Sequence, residues 1–388
     1  MRGYLVERHG GPEVVELQEL VDPVAGPGEV VVRVRACGLN HLDLWVRNGV
    51  PGHRFPRPLV PGSEVAGTVE SIGPGVDDIE PGAAVLLGSG VSCGHCLRCL
   101  AAQDWLCPAF GLLGEHRDGG AAEFVVVPRR NVLPMPRGLS YVEAAAIPLV
   151  FLTAWHMLAA RAGLAAHEDV LLHAAGSGVT TAGIQIAKLL GARNLFVTSG
   201  SAAKLERAMD LGATRGFLSD SDWPKAVRAE TNGRGVDVVL DHVGGETFER
   251  SLKCLARGGR LVLCGATSSP TATLPLRAVF FKSLSILGST MGSMAELARL
   301  LPWFEEGKLK PVVGEVWEFE KLSVACERLA ARRVFGKVVV AVTADAHTVP
   351  RPFAVSAASA EPGSGEPSTV SEGDAERTLT VPVDSILP

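Results

Sequence analysis

Two kinds of hydrophobic patterning divide the chain. Over residues 1–145, short β-branched runs at Glu29–Arg35, Glu64–Ile72, Ala83–Leu87 and Glu123–Val127 are separated by Pro27-Gly28, Pro61-Gly62, Pro74-Gly75 and Pro81-Gly82. Proline presets the first corner of a turn and glycine accepts the positive φ of the second, so these pairs mark chain reversals. The pattern predicts an irregular, mostly β domain.

From residue 146 the rhythm changes. Apolar strands at Asp169–His173, Asn194–Thr198, Val236–Asp241, Arg260–Gly265 and Ser283–Gly288 alternate with helical stretches at Gly178–Leu190 and Ala202–Leu211, closed by Gly191 and Gly212. Strands that are apolar on both faces, alternating with helices, predict a parallel, doubly wound sheet over 146–290. Residues 291–342 then carry helices near Met294–Phe304 and Leu322–Arg332 and a strand at Gly336–Val342, and are expected to return to the first domain.

Composition refines this division. Hydrophobic residues make up 47% of the 388, enough for two cored domains. The formal net charge of −5 argues against a nucleic-acid binder. All of it lies in 343–388, where seven acids face two bases. That segment is rich in Ser, Pro, Ala and Glu with a single aromatic, Phe353, and is expected to be a disordered acidic tail. No run approaches the about 18 apolar residues of a bilayer span, and the N-terminus lacks a signal-peptide core, so a cytoplasmic chain without membrane contact is expected.

Four of the eight cysteines fall at Cys93, Cys96, Cys99 and Cys107. Four thiolates at short loop spacing can close a tetrahedron around one zinc ion with no position left for substrate, as in a structural site. An iron–sulfur cluster would accept the same set, and His95 could replace one ligand.

Strand Asp169–His173 runs into Ala174-Ala175-Gly176-Ser177-Gly178-Val179-Thr180 and then a helix. Small residues let the backbone approach a pyrophosphate, and the helix N-terminus offers it free N–H groups, so Gly176, Ser177, Gly178 and Val179 are candidate cofactor ligands. The second strand ends Val197-Thr198-Ser199-Gly200-Ser201, followed by Lys204, without the acid that accepts a ribose hydroxyl in NAD enzymes. Ser199 and Lys204 therefore favour a 2′-phosphate, hence NADPH over NADH.

The cysteine lobe followed by this turn resembles the medium-chain dehydrogenase/reductase superfamily of zinc alcohol dehydrogenases and quinone oxidoreductases. The resemblance covers residues 1–342 and includes Gly38-Leu39-Asn40-His41-Leu42-Asp43, Pro61-Gly62-Ser63-Glu64-Val65-Ala66-Gly67, Leu152-Thr153-Ala154 and Phe335-Gly336-Lys337-Val338-Val339. It implies a GroES-like catalytic domain joined to a Rossmann domain, a homodimer, Thr153 and Gly265 near the nicotinamide, and Lys337 on the pyrophosphate. It also implies ligand positions for a catalytic zinc, which fall here on Asn40, Ser63 and Leu149. These cannot supply two thiolates and an imidazole, so a catalytic zinc is not expected. A zinc held instead by Cys37, His41 and Glu64 is the alternative. Where the family's dinucleotide turn usually ends in glycine, this chain has Thr180, which is expected to shift the helix and weaken cofactor binding.

Without the metal, a quinone or an α,β-unsaturated carbonyl is the easier hydride acceptor, because charge delocalises into a hydroquinone or enolate. Asn40 is expected to donate to carbonyl or nicotinamide, Asp43 to fix the loop, and His41 to be one source of the proton. A zinc alcohol dehydrogenase and a non-catalytic nucleotide-binding protein are the competing readings.

Overall fold

In the computed structural model, which describes residues 1–350, two sheets account for most of the strands. The sheet of the dinucleotide-type domain is six-stranded and parallel throughout. Its order is Arg215–Leu218, Asn194–Ser199, Asp169–Leu172, Val236–Asp241, Leu255–Leu263, Ser285–Gly288. Strand order therefore reverses beside Asp169–Leu172, where open α/β sheets place their ligand crevice.

Successive side chains explain why the central strands are apolar without alternation. Val170 and Leu172 enter one core with Leu297, Leu300 and Phe304, while Leu171 enters the other with Phe196, Trp223 and Phe248. A strand buried on both faces has no polar side to show.

The other sheet has seven strands. Val313–Glu318, Lys337–Ala341, Glu29–Leu39, Glu64–Ile72, Ala84–Leu87 and Val132–Pro134 follow one another, and Phe124–Pro128 pairs with Glu29–Leu39. All its pairs are antiparallel except Val313–Glu318 with Lys337–Ala341. The chain thus crosses back into this domain at Val313. Helix Met294–Glu305, earlier in the returning segment, packs instead on the dinucleotide side against helix Val150–Trp155, which continues as a π-helical stretch through Arg161.

The fold also runs past residue 342. Ala344–His347 form a 3-10 turn whose Ala346 is buried beside Tyr141 and Val339, and Asp345 pairs with Arg35 at 3.0 Å. A tail starting at 343 is thus corrected: at least these residues belong to the folded body, because a small apolar side chain and one ion pair give them a docking point. The rest of the expected acidic tail, 351–388, lies outside the described residues. Among the described residues no helix is long and apolar enough to cross a membrane.

Candidate active site and metal lobe

The dinucleotide turn is built by local hydrogen bonds. Ala174 takes a left-handed φ of 54°, and the helix that starts at Gly178 is capped by Ser177, whose hydroxyl accepts the Thr180 N–H at 3.1 Å. Capping of this kind satisfies one of the four free N–H groups of a first helical turn. Thr180 is fully buried, and its hydroxyl donates to the His173 carbonyl at 2.5 Å. It ties helix to strand end, so the helix begins where its neighbours predict rather than being pushed away.

Two lysines lie over the glycines of this turn. Lys204 covers Gly176 so closely that a Cβ there would sit 2.7 Å from its Cδ, and its Nζ donates to the Arg332 carbonyl at 2.6 Å. Burial, helped by Arg207, lowers the Lys204 pKa. The stem of Lys337 covers Gly178 in the same way, and Gly336 N–H donates to Gly176 O at 2.8 Å. Ser199 is buried at the neighbouring strand end, its hydroxyl accepting from Ser201 N–H at 3.2 Å.

The Lys337 ammonium does not point at a free anion site. Its three protons meet Leu39 O at 2.6 Å, Asn40 Oδ1 at 2.7 Å and Glu64 Oε2 at 2.5 Å. A buried ammonium must satisfy its donors, and Glu64 supplies the opposite charge. Glu64 is fully buried, its other oxygen taking the N–H groups of Leu149 (2.8 Å) and Val150 (3.1 Å) at the start of the interdomain helix. Asn40 completes the clamp, with Nδ2 donating to Glu64 Oε2 at 3.1 Å and to Gly38 O at 3.4 Å. Both amide donors are therefore used inside the protein.

Asp43 ties the loop to its neighbour. One oxygen accepts Asn40 N–H at 2.7 Å and the other Gly62 N–H at 2.9 Å, while burial pushes its pKa up to about 6. Burial, with the positive potential of His242, Arg332 and Lys337, lowers His41 to about 4. Near neutral pH His41 is an uncharged imidazole, so it can offer an N–H but carries no extra proton. Thr153 is buried, its hydroxyl 3.8 Å from Met291 Sδ. Gly265 lies against His242, whose carbonyl would stand 3.3 Å from a Cβ at that position.

The positions corresponding to zinc ligands hold no ligand set. Asn40 is clamped, Ser63 is fully buried with an unpartnered hydroxyl, and Leu149 is apolar. Cys37, His41 and Glu64 do not converge on one point among the described residues. Cys37 is buried within the catalytic-domain core, which raises its thiol pKa well above the ordinary value.

In the lobe, the four cysteine sulfurs do converge. Sγ separations are 3.8 Å for Cys93–Cys99 and 3.5 Å for Cys96–Cys99 and Cys93–Cys107, close to the about 3.8 Å edge of a tetrahedron with zinc–sulfur bonds. Backbone N–H groups point at the sulfurs from Gly94, Cys96 and Ala109, at 3.3–3.4 Å. Those of His95 and Cys96 draw the Cys93 thiol down to about 6. The donor set fits one structural zinc. The His95 ring turns away to the Cys93 carbonyl at 3.0 Å.

Sequence reasoning missed His242, whose Nε2 lies 2.9 Å from Ser177 Oγ and 3.2 Å from Thr180 Oγ1. Its place immediately after the apolar run Val236–Asp241 was a usable signal, since crevice residues follow the carboxyl ends of parallel strands.

A parallel sheet with a capped glycine turn, facing a β domain that carries a four-sulfur lobe, defines a nicotinamide-dependent dehydrogenase architecture. Family models agree: residues 26–137 match the alcohol dehydrogenase GroES-like domain and 178–306 the zinc-binding dehydrogenase domain. The quinone oxidoreductase of Rattus norvegicus is 30% identical over 84% of this chain and 93% of its own length. The spectinabilin polyketide synthase protein NorB of Streptomyces orinoci is 36% identical over 83% of this chain, which spans only 13% of that protein. A crystal structure of an NAD-dependent alcohol dehydrogenase superposes with a TM-score of 0.85 at 50% identity, covering 88% of this chain and all of that one. The chain belongs to the medium-chain dehydrogenase/reductase superfamily and is an oxidoreductase of the alcohol dehydrogenase and quinone oxidoreductase kind.

Proposed function

We propose that the protein transfers a hydride from NADPH to a quinone or an α,β-unsaturated carbonyl without a catalytic zinc. The observation that carries this reading is the clamp: where the family places its first zinc thiolate, Asn40 is bonded on both sides to Glu64 and Lys337. With no metal to polarise an isolated ketone, the acceptor must spread its own negative charge, as quinones and enones do. The turn Gly176–Val179 would receive the diphosphate at the helix N-terminus, with Thr153 and Gly265 toward the nicotinamide. His41, uncharged, would supply a ring N–H, and the proton that completes the hydroquinone or saturated carbonyl would come from water.

NADPH is favoured by the corner formed by Ser199, Ser201, Lys204 and Arg207. Desolvation and Arg207 are what shift Lys204, with no carboxylate contributing. Steady-state assays with a small quinone should give NADPH a kcat/KM more than tenfold above NADH. Lys204→Ala should remove about tenfold of that preference, or 1.4 kcal/mol. A preference for NADH beyond tenfold overturns the cofactor assignment. Quinone reduction should survive when only the cysteine-bound zinc remains.

The 50% identical structure titled an NAD-dependent alcohol dehydrogenase favours a second reading, alcohol oxidation. Metal-dependent turnover of alcohols with NAD⁺, absent with quinones, would establish it. A homodimer also fits: Leu276, Phe280 and Phe281 are 67%, 62% and 65% exposed on helix Leu276–Lys282, next to the edge strand Ser285–Gly288. An apolar patch beside an open strand edge is suited to pairing with a second copy.

A further inference from the structure

A second group of metal-type side chains stands outside the cysteine lobe. His53 lies on the loop after helix His41–Asn48, and Glu115 and His116 lie in the turn after strand Gly111–Leu112. One ligand atom from each lies within 4.8 Å of the others. His53 Nε2 is 3.3 Å from Glu115 Oε1, and His116 Nδ1 is 3.6 Å from Glu115 Oε2. Nitrogen and oxygen ligands about 2.0–2.1 Å from a tetrahedral zinc stand about 3.4 Å apart, so each imidazole is already near that spacing from one of the two carboxylate oxygens.

Charge points the same way. The Glu115 side chain is only 13% exposed, yet its ionic neighbours are the two imidazoles rather than a Lys or Arg. A half-buried carboxylate facing two imidazoles has no permanently charged partner, and a divalent cation would supply that charge while using the lone pairs of all three groups.

The platform is firm. Gly114, at φ 74°, donates to Arg117 O at 2.7 Å and backs onto the peptide of Gly62, where a Cβ would come within 2.6 Å of its nitrogen. The His53 ring packs on Phe55 at 4.4 Å. His116 Nδ1 is held only by a 3.3 Å bond from Leu112 N–H, which a metal would displace.

We propose that His53, Glu115 and His116 bind a borderline divalent cation such as Zn²⁺ as a site separate from the four-cysteine lobe. Both imidazole side chains are 40% exposed, so a fourth position stays open to water or a small ligand. Nothing in this assignment depends on the clamp or on the choice of hydride acceptor.

The test is a Co²⁺ titration of the full chain after exchangeable metal has been removed and the cysteine-site zinc retained. One further equivalent should bind, with the visible bands of nitrogen–oxygen tetrahedral cobalt and no sulfur-to-metal charge transfer. His53→Ala and Glu115→Gln should each weaken it at least tenfold while keeping the cysteine-site zinc, whose retention reports that the variants fold. No further equivalent in the wild type, or binding that survives both substitutions, overturns the proposal.

Discussion

The four-cysteine lobe and the Asn40–Glu64–Lys337 clamp solve the same electrostatic problem in opposite ways. In the lobe, four sulfurs from 15 consecutive positions gather negative charge and leave it for a metal to balance. In the clamp, a carboxylate and an ammonium from distant parts of the chain balance each other, with an amide filling the remaining valences. One arrangement is local and built around an external ion; the other is global and complete in itself. Damage to the first should stay local, whereas damage to the second should be felt by both domains, because Glu64 also holds the start of the interdomain helix.

Breaking the clamp gives the largest expected effect. Lys337→Met leaves Glu64 buried without its countercharge and should cost about 3–5 kcal/mol of global stability by chemical denaturation. Cys99→Ser should lose the zinc with a smaller global penalty. Equal penalties would erase the distinction drawn between the two regions.

A smaller effect sharpens a second contrast, between the two domains under acid. His173 is fully buried between Thr198 Oγ1 and Ser251 Oγ, both at 2.8 Å, and burial lowers its pKa to about 4. The unfolded chain binds that proton first, so this group makes stability rise between about pH 4 and 6.5, by up to about 3 kcal/mol. Asp43 works in the opposite sense: its raised pKa of about 6 means the folded state binds the proton more tightly, and stability falls between about pH 4 and 6. Urea denaturation at pH 4.5 and 7 should show the acid-side loss shrinking in His173→Gln and growing in Asp43→Asn. No change in either variant would remove both assignments.

The smallest effect concerns the dinucleotide turn. Thr180→Val removes the bond to the His173 carbonyl and should cost about 1 kcal/mol of stability. Cofactor affinity should change less than threefold, because the hydroxyl acts between helix and strand. A tenfold weaker cofactor complex would restore Thr180 as a binding residue.

How much of this was legible follows the same division. The cysteine lobe could be read because its ligands are close in sequence, and the glycine turn because strand, turn and helix are consecutive. The clamp could not, since Asn40 and Lys337 are 297 positions apart and neither side chain type announces its partner. Among the strands that escaped notice are Arg215–Leu218 and Val313–Glu318. Both are edge strands with charged outer positions, so they lack the apolar run that marked the central ones. Helix Val150–Trp155 was hidden for the converse reason: it is buried nearly all round and has no polar stripe to reveal its period.

The segment Arg332–Lys337 bears on how an anion meets this enzyme. Its lysine is already neutralised by Glu64, its Arg332 carbonyl holds the Lys204 ammonium, and its Gly336 N–H is engaged by Gly176. These two lysines are therefore turned inward, and the exposed guanidinium groups of Arg207 and Arg332 carry the rest of the positive charge near the turn. On the proposed NADPH reading, encounter with the polyanionic cofactor would slow as salt screens those guanidinium groups, and selectivity would reside in how long the ligand stays once Lys204 exchanges the peptide carbonyl for the phosphate.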